Sequence, residues 1–76
     1  MTLIDEKECH LKFGQYVRST RKKEKISQHE LAEKIAVAQP QISYIERGIR
    51  EVDLALAIRI CEALNRDIRD FANKCL

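Results

Sequence analysis

Four polar side chains near the middle of the chain have the chemistry to read the edges of nucleic-acid bases. They are Gln39, Gln41, Ser43 and Tyr44. A glutamine amide both donates and accepts hydrogen bonds, and in the major groove of DNA it pairs with N6 and N7 of adenine. Surface glutamines on an ordinary helix are the alternative interpretation. Which interpretation applies depends on the secondary structure that holds these side chains.

Basic residues gather just ahead of this segment. Residues 12–25 contain six lysines and arginines and one acid, whereas the 76-residue chain as a whole has a net charge of only +2. Taken alone, such a run is often the solvated face of a helix. Beside a pair of helices that binds DNA, the same run would face phosphates.

Two short helices joined by a tight turn are predicted around the polar segment, over residues 28–35 and 39–47. Ser27 and the acid three residues on form a capping box at the start of the first helix. Pro40 suits the first turn of the second helix, and Gly48 suits its end. Apolar residues recur at helical spacing in both segments: Leu31, Ala32, Ile35, Ile42 and Ile45. Two short helices with a turn of about four residues form a helix-turn-helix.

With this pattern the sequence resembles the phage-repressor helix-turn-helix proteins, the Cro/repressor-like or Xre-like family. The resemblance extends from about Phe13 to Phe71. The residues that carry it are Ser27, Gln28, Leu31, Ala32, Val37, Ile42, Ser43, Ile45, Glu46 and Gly48. It implies an all-α, compact five-helix lambda-repressor-like DNA-binding domain, with the helix-turn-helix at helices two and three.

The resemblance also implies which residues contact the bases. Gln39, Pro40 and Tyr44 occupy the family's base-facing positions. Pro40 is unusual there, because it can pack against a thymine methyl group but has no side-chain hydrogen bond to offer. Gln41 and Ser43 complete the expected set, with a phosphate as the alternative partner of Gln41.

Phosphate contacts and one ion pair follow from the same resemblance. Gln28 is expected to contact a phosphate at the start of helix two and to brace Gln39. Arg21 is expected to pair with Glu46, although both could be ordinary surface charges. The other expected phosphate contacts are Arg47, Arg50, Arg18, Lys22 and Lys25.

Three further residues depart from the family's pattern. Ala36 replaces the usual glycine of the turn, so a left-handed conformation there would cost about 1 kcal/mol unless the turn relaxes differently. Ala38 replaces the usual serine or threonine cap of the second helix, which leaves its first amides to Gln39, water or a phosphate. Thr20 replaces a larger aliphatic residue and is expected to thin the core.

Three further helices complete the predicted domain, which spans residues 10–76 after an N-terminal arm or short extra turn over residues 1–9. The first runs from about His10 to Lys23. Asp53 caps a fourth that reaches about Leu64, and Asp67 caps a fifth that ends near Cys75. The apolar residues of the last two helices are Leu54, Ala57, Ile58, Ile60, Cys61, Leu64, Ile68 and Phe71. An apolar surface of Ile60, Ile68 and Leu76 would be compatible with a dimer.

Other classes of protein fit the sequence poorly. No apolar run approaches the roughly 18 residues that span a membrane, and the acidic N-terminus differs from a signal peptide. Three cysteines without CxxC spacing suit reduced thiols, so we expect a cytoplasmic protein. His10 and His29 have no visible catalytic partners, and Cys9 beside His10 is too sparse for a metal site. We therefore expect no enzyme activity, no metal and no cofactor.

The sequence thus predicts a sequence-specific regulator of transcription that binds double-stranded operator DNA. The resemblance implies a homodimeric repressor that reads the major groove through the helix over residues 39–47. The alternative is an antitoxin-type or other partner-binding protein, which would bind a toxin or another regulator and use the same domain for autoregulation. The gene beside it would help to distinguish these readings.

Overall fold

Five α-helices form the computed structural model, which describes residues 3–76. They are α1 (Glu6–Lys23), α2 (Gln28–Lys34), α3 (Gln39–Glu46), α4 (Leu54–Ala63) and α5 (Ile68–Cys75). No strand occurs in the described part of the chain. Helix α1 packs against α3 and α5, and α2 packs against α3 and α4, so the helices enclose one core. The predicted all-α, five-helix fold is confirmed.

The first helix starts earlier than the apolar periodicity predicts. It begins at Glu6 rather than His10, because the side chain of Asp5 caps it by accepting a hydrogen bond from the Glu8 amide at 3.2 Å. Acids in the first turn also suit the positive end of the helix dipole. The prediction for the start of this helix was therefore wrong. Of the predicted arm, residues 1 and 2 lie outside the described residues.

The core is apolar and closely matches the helical pattern of the sequence. The side chains with under 2 % exposure are Leu31, Ile42, Ile45, Ile60, Leu64, Val17 and Cys61. Burial raises the pKa of the Cys61 thiol to about 11. The rings of Phe13 and Phe71 meet edge to face with centroids 5.1 Å apart, which joins α1 to α5.

Two apolar residues lie where the sequence did not predict them. Ile60 is fully buried, so it forms no part of a dimer surface, and that interpretation was wrong. Leu54 is 69 % exposed because it is the first residue of α4, at the end of the buried stripe.

None of the helices within residues 3–76 is long and apolar enough to cross a membrane.

A residue with left-handed backbone conformation lies two positions after the last residue of each of the first four helices. These residues are Lys25, Ala36, Gly48 and Asn65, with φ between 57° and 72°. In all four places the next amide donates to the carbonyl oxygen five residues earlier, which is the Schellman arrangement. Ala36 therefore adopts the left-handed conformation for which the family that the sequence resembles has glycine.

Glycine at position 36 is expected to stabilise the domain by about 1 kcal/mol, because it removes the strain of a Cβ at positive φ. Urea unfolding of Ala36→Gly would measure this gain. The matched control is Ala72→Gly, an exposed site in the middle of α5, where the same change should cost about 1 kcal/mol. A loss of stability at both sites would contradict the assignment of strain to Ala36.

A hydrogen bond between α1 and α5 makes part of the stability depend on pH. The Tyr16 hydroxyl donates to Oδ2 of Asp70 at 2.6 Å. The pKa of the Tyr16 phenol is raised, mainly by burial and secondly by this hydrogen bond. The same hydrogen bond is the main reason that the pKa of Asp70 is lowered. Asp70 therefore stabilises the fold above its unfolded pKa of about 4, and this is lost as the pH falls through its folded pKa. Tyr16 stabilises the fold below its unfolded pKa of about 10, and this is lost as the pH rises further.

Removing the Tyr16 hydroxyl should therefore lower stability most between about pH 4 and pH 10, and less on either side. Urea unfolding of Tyr16→Phe and the unchanged chain, from below about pH 4 to above about pH 10, would measure the difference. Tyr44→Phe is the matched control, because within residues 3–76 the Tyr44 hydroxyl makes no hydrogen bond. An equal loss at every pH would contradict the role of this bond.

Candidate nucleic-acid interface

The helix-turn-helix is built from local signals in the sequence. The Ser27 hydroxyl accepts a hydrogen bond from the Glu30 amide at 3.0 Å, and the Glu30 carboxylate accepts one from the Ser27 amide at 3.3 Å. This capping box starts α2. Pro40 lies in the first turn of α3, and Ala38 caps that helix without a side-chain hydrogen bond. Val37 packs against the core from the turn between them.

Close approach of α1 positions α3. A Cβ atom on Gly14 would collide with the carbonyl oxygen of Ile45 and would lie 2.7 Å from that of Glu46. Only a glycine allows the two helix backbones to come this near. Helix α3 is thus held against α1 by its last turn, which leaves its opposite face free.

One face of α3 is buried and the other is accessible. Ile42, Ile45 and Glu46 are buried. Of the five residues predicted to read bases, Pro40 and Tyr44 are exposed and Gln39, Gln41 and Ser43 are half-buried. The structure therefore brings all five onto one short helix with solvent access, and their contacts with bases stay a prediction.

A continuous chain of hydrogen bonds connects α1 to the start of α3. Arg21 donates through Nε to Oε2 of Glu46 at 2.7 Å and through Nη2 to Oε1 at 3.1 Å. Gln28 Nε2 donates to the same Oε1 at 3.0 Å, and Gln39 Nε2 donates to Gln28 Oε1 at 2.7 Å. The side chains of Arg21 and Glu46 are 11 % and 2 % exposed, so this pair is buried rather than a surface charge pair.

The C-terminal end of the accessible face is also ordered. The Arg47 guanidinium lies 5.4 Å from the centroid of the Tyr44 ring, within the range of a cation–π interaction. Arg47 Nε also donates to the Ser43 carbonyl oxygen at 3.4 Å. These two contacts place a positive charge and an aromatic ring side by side on α3.

Five cations expected to contact phosphates have no acidic partner among residues 3–76. Arg18, Lys22, Lys25 and Arg47 are exposed and Arg50 is half-buried. Other cations behave differently: Arg66 pairs with Glu24 at 2.8 Å, for example. Within residues 3–76 the five form no ion pair. Their charge is therefore available to a polyanion.

Some contacts of this interface could not be predicted from the sequence. Arg59 of α4 donates to the Ile35 carbonyl oxygen at the end of α2 and so supports the turn. The bond from Gln28 to Glu46 also joins residues far apart in the chain. No local pattern marks either contact.

In the described part of the chain, no group of three or more His, Cys, Asp or Glu residues could hold a metal ion.

Comparison with known proteins agrees with this architecture. A family profile described as helix-turn-helix matches residues 17–71. Two crystal structures of the clp gene regulator ClgR from Corynebacterium glutamicum are similar, at 32% and 31% identity and TM-scores of 0.81 and 0.83. The matches cover 83% and 86% of this chain and 81% and 69% of those chains.

A third similar structure is the restriction-modification controller protein C.AhdI from Aeromonas hydrophila. It shares 31% identity at a TM-score of 0.76, over 80% of this chain and 92% of that chain. No sequence match to a curated protein was found. The accessible α3 on its five-helix scaffold defines a DNA-binding domain of the transcription-regulator type. The chain belongs to the helix-turn-helix family, of the Cro/repressor-like or Xre-like kind.

Proposed function

We propose that this chain is a sequence-specific regulator of transcription that binds double-stranded operator DNA as a dimeric repressor. Helix α3 would enter the major groove, where Gln39, Pro40, Gln41, Ser43 and Tyr44 contact base edges. Base contacts would supply specificity, and contacts with phosphates most of the affinity and its dependence on salt.

The observation that carries this proposal is the position of the Gln39 amide. It lies on the accessible side of α3 and is held there by Gln28 at 2.7 Å. A side chain whose rotamer is already ordered loses less conformational entropy when it binds. Cations that form no ion pair within residues 3–76, including Arg47 at the C-terminal cap of α3, provide the positive charge that binding to a phosphate backbone requires.

An apolar groove supports the proposed dimer. It has a volume of about 320 Å³ and lies between α1, α4 and α5. Leu54 and Leu76 at this groove are 69 % and 55 % exposed. A two-fold interface uses the same patch on both subunits, so side chains that protrude beside a groove can enter the groove of the partner. A two-fold dimer would place two copies of α3 about 34 Å apart along one side of the DNA.

Binding to the DNA upstream of the chain's own gene would test the function. A footprint at several salt concentrations, with random DNA as competitor, should show two half-sites one helical turn apart. The similar proteins described as a gene regulator and a controller protein make such a target reasonable. Weak binding that random DNA abolishes would instead favour the partner-binding alternative.

Two single substitutions should separate base contacts from phosphate contacts. Gln39→Ala is expected to weaken binding to the operator by about 1–3 kcal/mol and to change binding to random DNA little. Arg47→Ala should weaken binding to both and lower the salt slope by about one unit. Fluorescence anisotropy with both DNAs would measure these changes. An equal loss on operator and random DNA for Gln39→Ala would exclude that residue from base recognition.

A further inference from the structure

We infer that Glu46 is a positioning residue, which sets the hydrogen-bonding direction of the Gln39 amide and so makes α3 prefer adenine to guanine at the base pair that Gln39 contacts. This inference rests on the proposed function. The buried pair of Arg21 and Glu46 is connected to Gln39 by the hydrogen bonds of Gln28. Recognition of that base thus depends partly on a carboxylate that does not contact DNA.

The carboxylate fixes the orientation of Gln28. An ionised carboxylate only accepts hydrogen bonds, and Glu46 is paired with Arg21 at 2.7 Å. Gln28 can therefore face it only with its NH₂ group, as the 3.0 Å bond from Nε2 shows. A flipped amide would set its carbonyl oxygen against the Glu46 oxygen. With a Glu46 side chain only 2 % exposed, little water is available to relieve that repulsion.

Gln28 in turn fixes the orientation of Gln39. Because the NH₂ group of Gln28 is directed at Glu46, its carbonyl oxygen is the group that faces α3. That oxygen accepts a hydrogen bond from Gln39 Nε2 at 2.7 Å. The direction of every bond in the chain from α1 to α3 thus follows from the negative charge on Glu46.

The orientation of Gln39 determines which base it suits. One N–H of Nε2 is used on Gln28, so the other N–H and the carbonyl oxygen remain. Adenine offers an acceptor at N7 and a donor at N6, which match this pair of groups. Guanine offers acceptors at both N7 and O6, so the Gln39 oxygen would face another oxygen. An amide free to rotate could turn its NH₂ group to O6 and tolerate guanine.

The test begins with binding sites selected by the unchanged chain from random duplex DNA. Gln39→Ala then identifies the base pair that Gln39 reads, as the position where preference disappears. At that pair we expect adenine to be preferred to guanine by about 5- to 150-fold. Gln28→Met and Glu46→Gln should both reduce this preference to less than about threefold, an expectation that follows from losing one oriented bidentate contact.

Gln28→Met keeps the ion pair, so it tests the inference even if Glu46→Gln does not fold. Gln28→Met also removes the expected phosphate contact of Gln28. That loss would weaken binding equally to the sites with adenine and with guanine, so it cancels in the ratio of the two affinities. Gln15→Met is the matched control, because it removes an exposed glutamine of α1 that makes no side-chain hydrogen bond within residues 3–76 and lies outside the proposed base and phosphate contacts. It should leave the preference at this base pair unchanged.

NMR of the free protein supplies an independent readout. The side-chain amide protons of Gln39 should exchange with water more slowly than those of Gln41, and Gln28→Met should abolish the difference. If a folded Glu46→Gln variant or Gln28→Met retains the preference for adenine, or if Gln39→Ala changes preference at no base pair, the inference is wrong. If the unchanged chain selects no sequence at all, the proposed function itself fails.

Discussion

Replacing Glu46 by alanine is expected to destabilise the domain by about 3–5 kcal/mol. The substitution leaves the guanidinium of Arg21, only 11 % exposed, without its counter-ion. It also leaves the side-chain amide of Gln28 without its acceptor. The free energy of unfolding of a domain of this size is about as large as this loss, so much of the variant should be unfolded at room temperature.

Urea and thermal unfolding followed by circular dichroism would measure the effect. Glu33→Ala is the matched control, because that acid lies on α2, is 69 % exposed and, within residues 3–76, has an exposed histidine as its one ion-pair partner. Its removal should change stability by less than about 0.5 kcal/mol. The double variant Arg21→Met with Glu46→Leu should recover much of the loss, because apolar residues of similar size can replace a buried ion pair. If Glu46→Ala is as stable as Glu33→Ala, the pair is not a constraint on the fold.

Alanine at position 14 should also be strongly destabilising, by about 3 kcal/mol. The added Cβ would collide with backbone carbonyl oxygens at the end of α3, which cannot rotate away as a flexible side chain could. Helix propensity alone predicts the opposite sign, because alanine is favoured over glycine inside a helix by about 1 kcal/mol. The sign of the change therefore tests the close contact between α1 and α3.

The same unfolding measurements apply to Gly14→Ala, with Ser19→Ala as control on the exposed side of the same helix. The control should leave stability unchanged or raise it by up to about 0.5 kcal/mol. Because the collision displaces the end of α3, Gly14→Ala should also weaken the bond between Gln28 and Gln39. A stabilised Gly14→Ala variant would show that α1 and α3 can separate at little cost.

The ends of the helices could be predicted because each depends on residues that are close in sequence. The Ser27 capping box, the caps at Asp53 and Asp67, and the left-handed Asn65 are all set within about four residues. With the apolar periodicity, they predict helices α2 to α5 to within one residue of the observed ends. The start of α1 was missed although its signal was local, because the acids around Asp5 interrupt the apolar pattern.

Contacts between helices could not be read from the sequence in the same way. Nothing in the spacing shows that Tyr16 meets Asp70, that Arg59 reaches the turn, or that Ile60 is buried on every side. For the candidate interface, the residue types and the family resemblance indicated Gln39 and the pair of Arg21 and Glu46. That these groups form one directed chain of hydrogen bonds depends on how α1, α2 and α3 cross. The crossing is set by packing over the whole core, which no short stretch of residues contains.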